Sequence, residues 1–282
     1  MSEYFSDSII RIDGLKLMGK HGVHPEEKET PHPFVFDISY SLDTSRAAAT
    51  DYIGNTISYS DVVRTVKKVN GSRSFDLIEA LADTAAKELL TTFRPIKTVT
   101  VKVSKPEAPV KEEFEDISAT VKRSWHRIAI SFGSNEGDSI AVIEGMLDDV
   151  EESGLFRDMK VSEVIRTTPY GVKDQPDFLN GCILAYTFLS PGELLSFCLS
   201  IEQRYGRVRT MRWGPRTLDM DIIFYDDLII DEPDLTIPHY DMKNREFVLK
   251  PLSEIAGYIM HPVFMKTVNE MYAELCEKSG KE

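Results

Sequence analysis

The stretch RVRTMRWGPRTLDMDI, from Arg207 to Ile222, decides the fold of the second half of the chain because an arginine-rich run leads into a strand pattern. Apolar residues alternate with Asp219 and Asp221, which is the two-residue period of a β-strand, so both carboxylates project from one face. A carboxylate pair suits Mg²⁺, which typically binds one or two carboxylates together with substrate phosphates. Nearby guanidinium groups hold phosphates bidentately. The stretch therefore predicts phosphoryl chemistry on a magnesium nucleotide.

Other interpretations of this stretch are an exposed polar strand face and a nucleic-acid patch in which Trp213 stacks on a base. The chain has 46 acidic and 33 basic residues, and its formal net charge is −13. That charge repels a polyanion. We therefore expect the arginines to serve a small anion, with no nucleic-acid partner.

Length and composition predict two globular domains. The 282 residues are 42% hydrophobic and 28% charged, which is enough for two cores of ordinary size. The first residues form no basic, apolar leader, and no apolar run reaches the ~18 residues that cross a bilayer. Cys182, Cys198 and Cys276 are widely spaced and odd in number, which favours reduced thiols. We expect a cytoplasmic protein with no membrane partner.

The first half predicts an α+β domain with the order ββααββ. Strands are indicated at 9–18 and 34–42, and again at 99–103 and 117–121. Between them, a helix is predicted to stop at Asn70-Gly71, and a second helix is predicted to begin at a Ser74 cap. Helices gathered between two hairpins favour an antiparallel sheet.

The second half alternates strands and helices, and Trp125 begins it without a long linker. The predicted domains are residues 1–124 and residues 125–282. Strands are predicted from Ile128, over Met159–Thr167, from Phe178, and through the two aspartates. A capping box at Ser190 starts one helix, and Phe247 starts another.

Several side chains of the second half could form a pocket for a flat heterocycle. Thr168, Tyr170, Phe178 and Phe247 offer aromatic faces or a hydroxyl, and Asn180 offers an amide for the edge of a ring. Taken singly, Phe178 and Phe247 are more often core residues, and a histidine such as His239 is more often satisfied by backbone.

Together these segments resemble the 6-hydroxymethyl-7,8-dihydropterin pyrophosphokinase family of folate biosynthesis. The matching stretches are GSN (Gly133–Asn135), DQPDFLN (Asp174–Asn180), GRVR (Gly206–Arg209), RWGPRTLDMDI (Arg212–Ile222) and PHYDMKNREF (Pro238–Phe247). The resemblance implies a ferredoxin-like α+β domain that transfers the β,γ-pyrophosphoryl group of ATP to the pterin hydroxymethyl group and releases AMP.

The resemblance also implies residue roles. Asp219 and Asp221 would ligate two Mg²⁺ ions, and Arg207 and Arg216 would stabilise charge on the transferring group. Phe178 and Phe247 would sandwich the pterin, and Asn180 would read its edge. The residues implied to contact ATP are Glu202, Arg209, Arg212, Trp213, His239, Tyr240 and Arg245.

Two positions depart from the family pattern. Phe178 stands where a tyrosine is expected, which keeps the stacking face and loses a hydroxyl. Asp234 stands where an arginine that contacts ATP can occur. Nucleotide affinity could therefore differ at Asp234.

The first half resembles dihydroneopterin aldolase. The matching stretches are HGVHPEEKE (His21–Glu29), NTISYSDV (Asn55–Val62), LIEALAD (Leu77–Asp83) and VKVSKP (Val101–Pro106). The resemblance implies a tunnelling-fold barrel built from several subunits, hence a homo-oligomer with sites at subunit contacts. It implies retro-aldol cleavage of 7,8-dihydroneopterin to glycolaldehyde and 6-hydroxymethyl-7,8-dihydropterin, with no cofactor.

In this resemblance Glu79 pairs with the amino and N3 donors of the pterin, and Lys105 is the general acid/base. Tyr59 relays the proton, and Glu27 binds the trihydroxypropyl tail. Read alone, each of these residues is better explained by a structural position, such as an exposed carboxylate on a helix or an edge-strand charge. Pro31-His32 replaces the Gly-Gln that often follows the glutamate, and His21 and His24 are assigned structural roles.

The leading hypothesis is a bifunctional enzyme that performs both steps. The alternative is an active pyrophosphokinase whose first domain is only an oligomerising scaffold. A nucleic-acid-binding module is the third class of function considered.

Overall fold

The computed structural model describes residues 7–170, 174–206 and 216–280. The chain forms two compact units, Met1–Trp125 and His126–Glu282. The division falls one residue after the position predicted from the sequence. Trp125 belongs to the first unit, where its indole Nε1–H donates to the carbonyl of Ile96 at 3.1 Å.

The first unit is a four-stranded antiparallel sheet with two long helices. Its elements are β1 (Asp7–Gly19), α1 (Pro25–Glu29), β2 (His32–Asp43), α2 (Ser45–Thr50), a 3₁₀ turn (Ile53–Asn55), α3 (Tyr59–Ser72), α4 (Ile78–Thr92), β3 (Thr98–Ser104) and β4 (Ser118–Ser124). The sheet order is β1-β2-β3-β4. The predicted ββααββ order of the long elements and the α+β class are confirmed.

The core of the first unit lies on one face of this sheet. Phe34, Phe36 and Ile38 of β2 are at most 1% exposed, and the alternate residues of the strand point away from them. Helices α3 and α4 bury apolar stripes at helical spacing, and α4 packs against β3 and β4.

Two predicted helix boundaries in the first unit are wrong. The helix predicted to stop at Asn70-Gly71 continues to Ser72, because the Asn70 amide is engaged by its Nδ2 with the carbonyl of Met18 rather than with a helix end. Helix α4 begins at Ile78 with Leu77 as its N-cap. The Ser74 hydroxyl instead donates to the carbonyl of Lys20.

The second unit is a five-stranded antiparallel sheet covered by helices. Its elements are β5 (His126–Ser134), α5 (Ser139–Glu152), β6 (Phe156–Val161), β7 (Ile165–Thr167), β8 (Phe178–Thr187), α6 (Pro191–Arg204), β9 (Asp219–Tyr225), β10 (Ile230–Glu232), β11 (Leu235–Ile237), a 3₁₀ turn (Met242–Asn244), α7 (Glu246–Ala256), β12 (Met260–His261), β13 (Lys266–Thr267) and α8 (Val268–Lys278). The order β6-β8-β5-β9 matches the ferredoxin-like arrangement that the resemblance implies.

Two features of the second unit differ from the predictions. The strand predicted over Met159–Thr167 is split into β6 and β7, because Ser162 turns its hydroxyl to accept the N–H of Cys182 at 2.9 Å. Helix α8 was not predicted; Val268 and Met271 are its buried contribution to the core.

Helices α7 and α8 cover one face of the second sheet. Ala129, Cys182 and Phe224 of the sheet are buried together with Val248 and Leu252 of α7 in one apolar cluster. Strand alternation turns the neighbouring residues of β5 to the other face. Cys182 and Cys198 are buried free thiols whose pKa is raised by burial, and Cys276 is a partly exposed free thiol. Among the described residues, none of the helices has the length and apolar character that crossing a membrane demands.

Candidate functional sites in the two domains

Sheet register gathers the predicted metal ligands and one pterin residue on the face that α7 covers. Asp219 of β9 pairs with Gly133 of β5, and Gly133 pairs with Asn180 of β8. Residues that are directly opposite in neighbouring strands share a face. Asp219, Gly133 and Asn180 therefore form one row, and Asp221 lies in the adjacent row opposite Ser131.

Gly133 is required at the centre of that row because a Cβ there would lie 2.5 Å from Oδ1 of Asn180. The Asn180 side chain is 6% exposed, and its Nδ2 donates to the hydroxyl of Thr167 at 2.7 Å. Phe178, two residues earlier on β8, approaches the same glycine. The amide is therefore held in a fixed orientation beside the aspartates.

Each predicted metal ligand is paired with a different arginine. Arg216 donates to Oδ2 of Asp219, and Nη1 of Arg245 donates to Oδ2 of Asp221 at 3.1 Å. Nε of Arg245 also donates to Asp241 at 3.1 Å. The two carboxylates that are candidate metal ligands therefore each lie against a guanidinium group of their own.

His239 stands at the edge of the same group. Its Nε2 is 3.8 Å from Oδ2 of Asp221, and its Nδ1 accepts the N–H of Asp241 at 3.2 Å. Burial lowers the pKa of His239 and outweighs the opposing effect of Asp221. The ring stacks on the exposed Tyr240 with centroids 4.8 Å apart. A neutral imidazole with Nε2–H directed toward the carboxylate follows from these contacts.

Glu202 supports the strand that carries the aspartates. It is 2% exposed on α6, and its Oε1 accepts the N–H of Met220 at 2.8 Å. This contact lies between the two aspartates in sequence, so the position of β9 depends on Glu202. Its contact with ATP remains a prediction.

A cavity of about 410 Å³ opens beside the loop that follows β7. Thr168, Tyr170 and Phe247 line it, and the Tyr170 and Phe247 rings are tilted at 60° with centroids 5.9 Å apart. Phe178 and Asn180 are not part of this lining. The structure therefore divides the predicted pterin residues into a cavity group and a β8 group.

Asp234 is exposed in the turn between β10 and β11. Arg207, Arg209, Arg212 and Trp213 lie outside the described residues.

The two aspartates meet the requirements of a magnesium site. Their side chains are 19% and 34% exposed, so each keeps an accessible side. In the described part of the chain, no three His, Cys, Asp or Glu side chains gather as a metal-binding group. A two-carboxylate set completed by phosphate oxygens fits Mg²⁺.

The sequence assigned no role to Asn135. In the structure this residue connects two segments of the candidate site. This buried residue follows β5 and hydrogen-bonds both the Gln175-Pro176 segment and the backbone of Arg216. The GSN stretch includes Asn135, but a single polar residue after a strand does not reveal which segments its side chain will connect.

In the first unit, Lys105 and Glu27 form a buried ion pair. Lys105 donates from Nζ to Oε1 of Glu27, and both residues are less than 10% exposed. Burial acts to raise the pKa of Glu27, but the bonds from Lys105 and from the N–H of His24 outweigh it, so this pKa is lowered. Gly22 has φ +148°, and a Cβ there would collide with the Glu27 carboxylate. The HGVHPEE stretch is thus built around this pair.

His21 lies buried near the pair in the structural role that was predicted. Its Nδ1 accepts the N–H of Phe75 at 3.2 Å, and its Nε2 is 3.1 Å from Oδ1 of Asn70. Burial and the nearby Lys105 charge lower the pKa of His21. The ring is therefore a neutral, fully bonded part of the core.

Tyr59 and Glu79 are not joined to this pair. Tyr59 is the first residue of α3 and is 66% exposed, and Glu79 is exposed in the first turn of α4. Within the described residues, neither makes a hydrogen bond or ion pair with Lys105 or Glu27. One chain therefore brings together two of the four predicted aldolase residues.

Comparison with known proteins places both domains. The model of 7,8-dihydro-6-hydroxymethylpterin-pyrophosphokinase matches residues 129–257, and that of dihydroneopterin aldolase matches residues 10–122. A Synechocystis protein named 2-amino-4-hydroxy-6-hydroxymethyldihydropteridine pyrophosphokinase is 38% identical over 150 residues, which cover 53% of this chain and 76% of that protein.

Longer relatives contain both domains. A Schizosaccharomyces pombe protein named Folic acid synthesis protein fol1 is 30% identical over 280 residues, which cover 94% of this chain and 36% of that protein. This chain spans 36 to 44% of the length of the three relatives of that name. A solved structure of E. coli dihydroneopterin aldolase in complex with neopterin is 29% identical with a TM-score of 0.39, covering 42% of this chain and 99% of that one. The chain belongs to the 7,8-dihydro-6-hydroxymethylpterin-pyrophosphokinase family, and the region ahead of its pyrophosphokinase domain matches the dihydroneopterin aldolase family model.

Proposed function

We propose that the chain catalyses two consecutive reactions on a pterin. The first cleaves 7,8-dihydroneopterin to glycolaldehyde and 6-hydroxymethyl-7,8-dihydropterin. The second transfers the β,γ-pyrophosphoryl group of ATP to the new hydroxymethyl group and releases AMP. The observation that carries this proposal is the row formed by Asp219, Gly133 and Asn180, because it puts a carboxylate suited to Mg²⁺ and an amide suited to the edge of a ring on one sheet face.

In the first reaction, a proton leaves a hydroxyl group of the tail while the adjacent C–C bond breaks. The electron pair enters the conjugated pterin ring and is later returned as a C–H bond on the hydroxymethyl carbon. Lys105 moves the protons, and its partner Glu27 orients the ammonium and binds the tail. Glu79 pairs with the donor edge of the ring, and Tyr59 relays the proton.

In the second reaction, the hydroxymethyl oxygen attacks the β-phosphorus of ATP while the bond from that phosphorus to the oxygen of the α-phosphate breaks. AMP leaves with that oxygen, and the hydroxyl proton passes to solvent. Phe178 and Phe247 stack on the pterin, and Asn180 reads its edge. Arg207 and Arg216 stabilise the transferring charge, and Arg209, Arg212, Trp213, His239, Tyr240, Arg245 and Glu202 contact ATP. Two Mg²⁺ ions held by Asp219 and Asp221 would neutralise the triphosphate when bound. Alignment and charge stabilisation supply the catalysis without a covalent intermediate.

One assay tests both activities. Purified protein is incubated with dihydroneopterin, Mg²⁺ and ATP, and glycolaldehyde and AMP are followed together. We expect both products, and we expect omission of ATP to stop AMP and leave glycolaldehyde. AMP formed only from added hydroxymethyl-dihydropterin would favour the alternative, in which the first domain is an oligomerising scaffold.

We also propose that the aldolase site is completed by a second chain, so that the protein is a homo-oligomer through its first domain. The exposed Tyr59 supports this, as do the exposed apolar residues Tyr52, Ile53 and Leu77 near it in sequence or on the next helix. Mixing refolded Tyr59→Phe and Lys105→Ala chains should restore activity in about a quarter of sites if Tyr59 and Lys105 of one site come from different chains. A mixture as inactive as its components would reject this sharing.

We further propose a cytoplasmic location, which the buried free thiols of Cys182 and Cys198 support. Alkylation of these thiols in unfolded protein taken directly from cells would test the reduced state. Recovery of either cysteine in a disulfide would oppose a reducing compartment.

A further inference from the structure

Asn135 connects two segments of the candidate pyrophosphokinase site through its backbone N–H, its amide oxygen and its amide nitrogen. Its Oδ1 accepts the N–H of Arg216 at 2.8 Å, and its own N–H donates to the Arg216 carbonyl at 3.0 Å. Its Nδ2 donates to the carbonyl of Pro176 at 3.0 Å and to Oε1 of Gln175 at 3.2 Å. The residue is 5% exposed, so water does not compete for these bonds.

Only an asparagine fits this junction. One partner of the side chain is a donor and the other two are acceptors, so the side chain must present an oxygen and an NH₂ group on a short stem. An aspartate has the same size and keeps the bond from Arg216, but it has no hydrogen to donate. It would also face two oxygen atoms with a negative charge. An alanine loses every side-chain bond.

The two connected segments carry different parts of the proposed reaction. Gln175 and Pro176 lead directly into β8, where Phe178 and Asn180 are assigned to the pterin. Arg216 donates to Asp219, which is assigned to the metal. Asn135 thus connects the start of β8, which is assigned to the pterin, with Arg216 and through it with Asp219, the first residue of β9.

We propose that Asn135 is a positioning residue that holds the pterin-binding segment and Arg216 in register with each other. This inference rests on the proposed pyrophosphokinase function of the site. It assigns Asn135 no contact with either substrate. Its effect is exerted through the two segments to which it is bonded.

Asn135→Asp and Asn135→Ala separate the two connections. The aspartate keeps Arg216 in place and releases the other segment, so we expect the KM for the pterin to rise about tenfold while kcat changes less than about threefold. The alanine releases both segments, so we expect kcat to fall about tenfold as well. Ser139→Ala is the matched control, because Ser139 begins α5 directly after the β5–α5 connection that contains Asn135, and its hydroxyl accepts a hydrogen bond from Ser134 at 2.9 Å.

Binding provides a readout that is independent of turnover. The dissociation constant of 6-hydroxymethylpterin is measured by fluorescence in the presence of Mg²⁺ and a non-hydrolysable ATP analogue. We expect Asn135→Asp to weaken binding about tenfold and Ser139→Ala to leave it unchanged. Near-UV circular dichroism establishes that each variant is folded, and the isosteric aspartate keeps the test valid if the alanine variant does not fold.

The outcomes distinguish the inference from the proposed function. If wild-type protein releases AMP and Asn135→Asp binds and turns over the pterin as wild type does, the positioning role is wrong. A loss of kcat in Asn135→Asp without any change in pterin affinity would also overturn it. If wild-type protein releases no AMP from hydroxymethyl-dihydropterin, the function itself fails, and the inference fails with it.

Discussion

The two candidate sites differ in how much of each is assembled by one chain. In the second domain, Asp219, Asp221 and Asn180 reach one sheet face through the register of three neighbouring strands. In the first domain, only Lys105 and Glu27 meet, and Tyr59 remains exposed. The register of these strands is set within one folded chain, whereas the exposed Tyr59 is left without a link to Lys105 in that chain. The groups assigned to the pyrophosphokinase reaction can therefore be tested in one chain, and tests of the groups assigned to the aldolase reaction have to allow for the second chain proposed above.

The ion pairs of the two sites also differ in how far their side chains are exposed to solvent. The Lys105 and Glu27 side chains are 11% and 10% exposed, whereas the Asp221 side chain keeps 34% exposure beside Arg245. A shielded pair holds a proton-transfer group in one geometry. A carboxylate that has to receive a metal and a triphosphate needs an open side. The exposures of the two pairs are thus consistent with the roles proposed for them, proton transfer by Lys105 and Glu27 and metal binding by Asp221.

The largest effect is expected from removing the two carboxylates proposed as metal ligands. Asp219→Asn and Asp221→Asn should each lower AMP release more than about a hundredfold, because an amide does not neutralise or ligate Mg²⁺ as a carboxylate does. Glycolaldehyde release should stay at the wild-type rate. Chromatography of both products checks this, with the exposed Asp231→Asn on β10 as the control. A parallel fall of both products would contradict independent sites.

Replacement of Lys105 should affect the reaction assigned to the first domain and leave the other reaction intact. Lys105→Met should lower glycolaldehyde release by about 10² to 10⁴ and leave AMP release from added hydroxymethyl-dihydropterin unchanged. Removing one member of a buried pair costs about 3 to 5 kcal/mol of stability, so the double variant with Glu27→Gln is assayed beside it.

Lys102→Met is the matched control for this lysine. Lys102 lies on β3, three residues before Lys105; it bonds Asp116 at 2.6 Å, and its side chain is 36% exposed. We expect glycolaldehyde release by this variant to stay within about twofold of wild type, because surface substitutions of this kind have small effects. Equal losses at Lys102 and Lys105 would remove the case for a specific role of Lys105.

The lowered pKa of Glu27 predicts a pH-dependent stability of the first domain. Its ionised form is favoured in the folded state, so its stabilising contribution is complete above the ordinary glutamate pKa of about 4.3 and is lost as the pH falls through the lower folded value. Denaturant unfolding of wild type and Glu27→Gln from pH 7 to pH 3 measures this. The stability difference should shrink only at the acidic end. A difference that grew below pH 4 would contradict the assigned sign.

The smallest expected effect concerns a buried hydroxyl in the first core. Tyr40 is 1% exposed, and its OH has no hydrogen-bond partner among the described residues. Burial of such a group costs about 1 to 3 kcal/mol, so Tyr40→Phe should leave stability unchanged or raise it by about 1 kcal/mol. Thermal unfolding measures the change. A clear loss of stability would reveal a partner for this hydroxyl.

Periodic patterns made most of the fold predictable. The alternation in β2 and β9 and the helical stripes of α3 and α4 are strong because one face of each element is buried. Errors arose where a side chain was used in tertiary contacts. Asn70 is a turn residue by composition, but its amide is taken by Met18, and Ser162 interrupts a predicted strand by bonding Cys182.

The candidate site likewise has a part that could be predicted from the sequence and a part that could not. Asp219 and Asp221 could be placed on one face from their spacing alone, because a strand fixes the direction of its side chains. Their individual arginine partners and the junction at Asn135 depend on which strands become neighbours. Sequence period does not carry that information, so the hub of the site could not be predicted.

Because Gly133 lies between Asp219 and Asn180 in the row, the spacing of the strands fixes the distance between these two residues. Neighbouring strands are about 4.8 Å apart, so Asp219 and Asn180, two strands apart on either side of Gly133, are separated by roughly 10 Å of backbone spacing. Hydrogen bonds of the sheet set this span, and the loops have no part in it. A change in the length of a loop would therefore leave the spacing between the backbones of Asp219 and Asn180 unaltered.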